Sequence, residues 1–182
     1  MGRDKDIADH DKKELSDPRE SIGEVIVATL GERIVGTLIC TPSWTNALGD
    51  YEALYRMHDL GACHPQSTGI ITKLMVAPEY RNSRLSLRIS RELYRHAVPL
   101  GVHHPIIDCN AHLVPFFQKI GFRKCGEPVV HPSYGRVHVL KLDCLDLEYI
   151  ERIRSPLQQI ARDIAPALLE TDTTKLLAGA NL

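Results

Sequence analysis

The sequence predicts an α/β (α+β) domain: a mixed central sheet flanked by helices, a polar arm before it and a helical extension after it. Three observations carry this. Apolar, β-branched runs bounded by Gly and Pro recur at EVIVATL, RIVGTLICTP and TGIITKLMVAP. Amphipathic helical periods follow the third run and the short strand after it. The resulting order, β-β-(loop)-β-α-β-α-β-β, interleaves helices with strands, which sets helices against a sheet.

Taken in order, residues 1–20 are polar and charged, with Asp17-Pro18 as a breaker, and read as an arm or short helix. Val25, Val27 and Thr29 alternate with Ile26 and Ala28, Gly31-Glu32-Arg33 turns, and Ile34 to Cys40 returns to Pro42, so residues 24–42 predict a hairpin. Its strands are apolar on both faces, the pattern of strands covered on two sides. A short helix is expected near Ala47–Met57, carrying Tyr51 and Tyr55, and then a loop over Asp59 to Gly69, long enough to serve as a lid or a surface loop. Thr68 to Pro78 predicts a buried strand. Ser83 to Val98 predicts a helix, closed by Pro99 and Gly101. His104 to Cys109 is a short strand, Ala111 to Ile120 a helix with Gly121 at its end, and Phe122 to Cys125 and Arg136 to Asp143 the last strands around a loop at Glu127 to Tyr134. In the tail, Leu147, Ile150, Ile153, Leu157, Ile160, Ile164 and Leu168 recur at helical spacing, broken by Pro156 and Pro166. This tail is expected to pack on the domain or on a second subunit of a homodimer.

Lys and Arg number 22 and Asp and Glu 23, a net charge of −1, which excludes the chain-wide basic footprint of a nucleic-acid binder. No apolar run reaches the roughly 18 residues of a membrane span. The polar amino terminus has no signal-peptide character. Five cysteines at irregular spacing, without a C-x-x-C pair, read as free thiols in a reducing cytoplasm. His58 with Cys63-His64, and His103-His104, match no familiar zinc spacing, so no metal is expected.

The helix after Pro78 concentrates positive charge. On a helical wheel Arg81, Arg84, Arg88, Arg91 and Arg95 share one arc, opposite Leu85, Ile89 and Leu93. Five like charges on one line repel one another, which favours an anionic partner: the phosphates of coenzyme A or an acidic acyl carrier protein. The strand–loop–helix junction at Arg81-Asn82-Ser83 adds the positive end of a helix dipole.

LMVAPEYRNSRLSLRISRELYRHA followed by NAHLVPFFQKIGFRKCGEP resembles the core of the GNAT acyltransferases, whose strand L-x-V-x-P-x-x-R precedes a pyrophosphate loop R-x-x-G-x-G/A. The segment from Cys109 to Leu157, with His131-Pro132, Tyr134-Gly135-Arg136-Val137 and Arg154-Ser155-Pro156-Leu157, is similar to the N-acyl amino acid synthases, relatives of the autoinducer synthases and of acyltransferases associated with PEP-CTERM export. The resemblance implies a GNAT-like domain over 21–145, with a shortened amino-terminal part and a helical extension over 146–182. It implies an N-acyltransferase that takes an acyl chain from a pantetheine thioester, acyl carrier protein or acyl-CoA, and holds no tightly bound cofactor.

The donor would contact Leu74, Met75 and Val76 along the strand, Arg81, Asn82, Ser83, Arg84, Leu85 and Ser86 in the loop, and Asn110 at the end of the next strand. Arg84 and Ser86 stand where the loop glycines would be, which crowds a coenzyme A pyrophosphate and suits a carrier-protein donor. Phe117 replaces the family tyrosine, and Ile70 and Lys73 stand where relatives carry Glu and Arg. The general base is thereby open among Glu79, His112, His131 and Tyr134, with Glu79 and His131 in front. Cys109 reads as packing. Two other readings remain: an acetyltransferase using acetyl-CoA, and a non-catalytic module that binds acyl carrier protein.

Overall fold

The computed structural model describes residues 8–9, 14–15 and 18–166. Two-residue strands β1 (Ala8–Asp9) and β2 (Glu14–Leu15) pair with each other, and a 3-10 turn over Pro18–Ser21 leads into the main sheet. That sheet has seven strands: β3 (Glu24–Leu30), β4 (Arg33–Pro42), β5 (Thr68–Val76), β6 (His104–Cys109), β7 (Arg123–Lys124), β8 (Val129–His131) and β9 (Gly135–Lys141). The order is β3-β4-β5-β6-β9-β7, with β8 also on β9. All pairings are antiparallel except β5 with β6.

Helices α2 (Leu85–Ala97) and α3 (Val114–Ile120) cover one face. Ile89, Leu93, Tyr94 and Ala97 of α2 and Phe117 and Ile120 of α3 bury against Leu38, Cys40, Ile71, Ile107 and Leu140. The approach is close at Gly36, where a Cβ would lie 2.6 Å from Ile89 Cδ1. The other face holds a smaller core of Leu48, Tyr55, Met57, Ile70, Ile106 and Val139.

The described part of the tail, up to residue 166, packs against the main core. After α4 (Leu147–Arg152) the chain turns through Arg154, at φ 53, into a helix over 158–166. Ile150, Leu157, Ile160 and Ala161 enter the main core, and Ser155 Oγ, itself buried, donates to Ile120 O. Leu168 lies outside the described residues.

Three expectations are corrected. The hairpin is not covered on both faces: β3 is an edge strand whose Ile26 and Ala28 meet the α2 side, while Val25 and Val27 are 42% and 46% exposed. The helix expected at Ala47–Met57 is a single turn, α1 (Tyr51–Leu54), because Arg56 adopts a left-handed backbone at φ 52 and a 3-10 segment over Met57–Cys63 follows. The loop expected at Glu127–Tyr134 contains β8, since Val129 and His131 find register with Val137 and Gly135.

Candidate active site

β5 and β6 pair only from Thr68↔His104 to Ile71↔Ile107. Beyond Ile71, β5 stays with β4 up to Gly36↔Val76, across a bulge between Thr37 and Ile39. Lys73 takes a left-handed backbone there, φ 51, and its carbonyl accepts Thr37 Oγ1–H at 3.1 Å. A bulge bends its strand, and here it opens a wedge between the sheet's two parallel strands. Along that wedge Leu74, Met75 and Val76 present backbone groups with no strand partner on the β6 side among the described residues. Such an edge accepts an extended, amide-bearing molecule by main-chain pairing. Asn110 stands exposed at the end of β6, its carbonyl taken by Leu113 N–H at 2.9 Å.

At the far end of β5 a 3-10 turn over Pro78–Tyr80 leads into the start of α2. Arg81, Asn82, Ser83 and Arg84 are exposed, and Leu85 and Ser86 half-buried. Ser83 Oγ accepts Leu85 N–H at 3.1 Å, which takes one amide of the helix terminus. The helix begins at Leu85, so Arg81 lies in the turn before it and Arg84 at its cap; only Arg88, Arg91 and Arg95 stand on the helix itself. Arg95 pairs with Glu92 at 2.6 Å. Among the described residues Arg84, Arg88 and Arg91 form no ion pair. Glu79 pairs with Arg33, and its own backbone N–H together with that guanidinium holds the carboxyl below its ordinary value.

The strand register assembles a polar group on the face opposite α2 and α3. Ile70 and Thr72 of β5, Ile106 and Asp108 of β6, Val139 of β9 and His131 of β8 point the same way. α1 and the residue after it lay Tyr51 and Tyr55 on them, with ring centroids 5.2 Å apart and Tyr51 5.7 Å from His131. The Arg19 guanidinium sits over the Tyr51 ring at 4.6 Å. His131 is buried, and its Nδ1 accepts backbone N–H from Ser133 at 3.0 Å and Tyr134 at 3.3 Å. That assigns the hydrogen of the neutral ring to Nε2. Burial lowers the His131 pKa, and Arg19 adds to this while Asp108 opposes it. Burial raises that of Asp108, against Tyr55 and His131. The Tyr55 hydroxyl interacts with the Asp108 carboxylate, and among the described residues Thr72 Oγ1 on the same face is buried without a hydrogen-bond partner, an arrangement that can hold a polar ligand.

Asp108, Tyr51, Tyr55 and Thr72 are absent from the site residues that the sequence singles out, Tyr51 and Tyr55 being read there only as part of a short helix. A signal existed for Asp108, the one carboxylate inside the buried run HPIIDC. Of the sequence candidates, His131 joins this group and Tyr134 stacks on it, whereas Glu79 is committed to Arg33. Cys109 faces the main core, where burial and the charge of Asp108 push its thiol up to about 11. A thiol held protonated is no nucleophile at neutral pH.

A narrow apolar crevice lies in the layer between the sheet and α2, with about 20 Å³ of enclosed space, room for about one water. It is lined from Leu74 at the wedge, past Ile71, Ala97 and Ile107, to Phe117 and to Leu157 of the extension.

Residues 11–143 match the model of the family described as N-acyl amino acid synthase FeeM. Among solved structures, FeeM, an N-acyl amino acid synthase from uncultured soil microbes, superposes with a TM-score of 0.61 at 14% identity, over 79% of this chain and 76% of that one. The CoA-dependent acyl-homoserine lactone synthase MesI gives 0.60 at 19% identity, over 78% and 72%. A second CoA-dependent acyl-homoserine lactone synthase, BjaI, gives 0.59 at 16% identity, over 82% and 73%. These likenesses carry the fold. No curated protein sequence is significantly similar.

Proposed function

Since the chain belongs to the N-acyl amino acid synthase FeeM family, and so is an acyltransferase of GNAT-like fold, we propose that it moves a medium or long acyl chain from a pantetheine thioester, foremost on an acyl carrier protein, to the amine of an amino acid. The observation that carries this reading is the β5 edge left open beyond Ile71, beside an apolar crevice lined from Leu74 to Leu157.

The pantetheine arm pairs with Leu74, Met75 and Val76 along the wedge and meets the Asn110 side chain, and the acyl chain enters the apolar crevice by parting the side chains that line it. A backbone N–H of the open edge polarises the thioester carbonyl; a donor of that kind contributes about 100- to 1000-fold. The acceptor binds on the opposite face, against Tyr51, Tyr55, Thr72 and Asp108. Asp108 supplies the carboxylate missing at Ile70, on the neighbouring strand and the same face. It removes the proton of the ammonium, directly or through a water, and His131 positions it. The nitrogen then attacks, the C–N bond forms, the C–S bond breaks, the thiol leaves as thiolate, and the second proton of the nitrogen passes to that thiolate or to water. With a pKa near 8.5 that leaving group needs little acid assistance, so Phe117 in place of a tyrosine is no obstacle.

Arg84, Arg88 and Arg91, unpaired among the described residues, supply the cationic face for an acidic carrier protein, with Arg81 and Arg95 at its ends. Acyl-CoA is the second reading for the donor, favoured by the CoA-dependent synthases of the same fold. Release of free thiol from dodecanoyl carrier protein and from dodecanoyl-CoA, with and without a mixture of amino acids, tests the reaction. Thiol released only with the amino acids supports it. Donor binding without thiol release from either would make the protein a carrier-binding module.

A further inference from the structure

Three ligand-type side chains that the reaction does not use converge in the connection between α1 and β5. Glu52 Oε1 lies 2.7 Å from His64 Nε2 and 3.6 Å from His58 Nε2. The three candidate donor atoms all fall within 4.8 Å of one another, and the two imidazoles meet edge to face at 5.3 Å. Sequence spacing hides this group, because Glu52 comes from α1 and the histidines from the segment after it.

His64 is the informative member. Its side chain is only 3% exposed. Its Nδ1 is 2.9 Å from Thr68 Oγ1, and the Thr68 hydroxyl donates in turn to Ser43 Oγ at 2.7 Å. With its hydrogen committed to Ser43, Thr68 Oγ1 accepts from His64, so Nδ1 carries a hydrogen and Nε2 turns toward Glu52. A bare nitrogen lone pair and a carboxylate oxygen repel at 2.7 Å, so a proton or a cation belongs there. A proton serves one pair; a metal ion serves all three groups, and His58 is the third. A ligand ring fixed through its other nitrogen by a hydrogen bond is the usual second layer of a metal site.

We propose that Glu52, His58 and His64 bind one divalent transition-metal ion of the zinc class, with water as the fourth ligand. Zinc bonds of about 2.0–2.1 Å place tetrahedral ligand atoms about 3.3 Å apart. The observed separations straddle that value, and His58, with its side chain 75% exposed, has room to close. The ion ties α1, between Tyr51 and Tyr55, to Thr68 at the start of β5. It therefore braces the wall over Asp108 without touching the reacting atoms, and the site stands on its own geometry whatever the acceptor is.

The test uses the full chain stripped with a chelator and then titrated with Zn²⁺, Co²⁺ or Mg²⁺. One zinc retained per chain, a Tm raised by Zn²⁺ and not by Mg²⁺, and a visible Co²⁺ spectrum of tetrahedral type are expected. His58→Ala changes an exposed side chain and leaves the fold intact; it should weaken zinc binding by about tenfold or more and remove the Tm shift, as should Glu52→Gln. A wild-type chain that retains no zinc and shows no Tm response overturns the proposal. So does zinc binding that both variants leave unchanged, which would place the ion elsewhere.

Discussion

The rings of His131 and Tyr134 stack with centroids 4.5 Å apart and planes 28° from parallel, and the Tyr134 backbone N–H donates to His131 Nδ1. The turn between β8 and β9 thus holds one imidazole by its face and by one nitrogen, leaving Nε2 as the hydrogen-bearing nitrogen. A stacked pair contributes about 0.5–1.5 kcal/mol beyond its area. Tyr134→Ala should cost about that in stability and raise KM for the amine severalfold with a smaller effect on kcat. Denaturant titration and steady-state kinetics on one preparation check both.

Asp108 makes a sharper case. Its folded-state pKa is raised, so the stability it contributes is present at low pH and lost as pH rises through that value. At pH 8 the charged carboxylate is held at a cost. Asp108→Asn should therefore leave stability at pH 8 equal or higher, lower kcat by about 10²–10⁴-fold, and abolish the acid limb of the pH–rate profile. A residue with a structural role alone would lose stability and activity together.

Buried His131 and half-buried His104 behave in the opposite sense. Burial lowers His131 and His104 from their ordinary value of 6.5. The unfolded chain binds those protons more readily, so stability falls as pH drops through and below about 6.5. The midpoint of denaturation should be lower at pH 5.5 than at pH 7.5, and His131→Gln should shrink that difference.

Much of this architecture is written in the chain. His104–Cys109 reads as a strand from its apolar run, α2 from its period, and the tail from leucines and isoleucines three or four apart. The polar group around Asp108 does not read out, because alternation along HPIIDC says only that Asp108 and Ile107 face opposite ways. Which face meets a helix and which meets Tyr55 depends on where α1 lands. Nor does the bulge at Lys73, since nothing in TKLMV announces a left-handed residue. Val25 and Val27 misled for the reverse reason: an apolar face shows what a strand tolerates, not what covers it.

Ala97 lies on α2 at the wall of the apolar crevice. Ala97→Leu should close it, costing about 1–3 kcal/mol. The kcat/KM for a dodecanoyl donor should fall by about tenfold or more, while a butanoyl donor is spared. Chain-length profiles of wild type and variant decide this.

Arg84→Glu combined with Arg88→Glu should weaken carrier-protein binding severalfold and reduce its salt dependence, with little change in Tm, because both side chains are exposed. Unchanged affinity would assign the cationic face no part in donor binding.

The most direct measurement is the mass of the product. Dodecanoyl and acetyl donors, each on carrier protein and on coenzyme A, are supplied together with a pool of amino acids, and the products are resolved by mass spectrometry. An N-dodecanoyl amino acid, formed by the wild type and nearly absent with Asp108→Asn, is the predicted result. An N-acetyl product alone, or no acylated amine from any donor, would contradict the account.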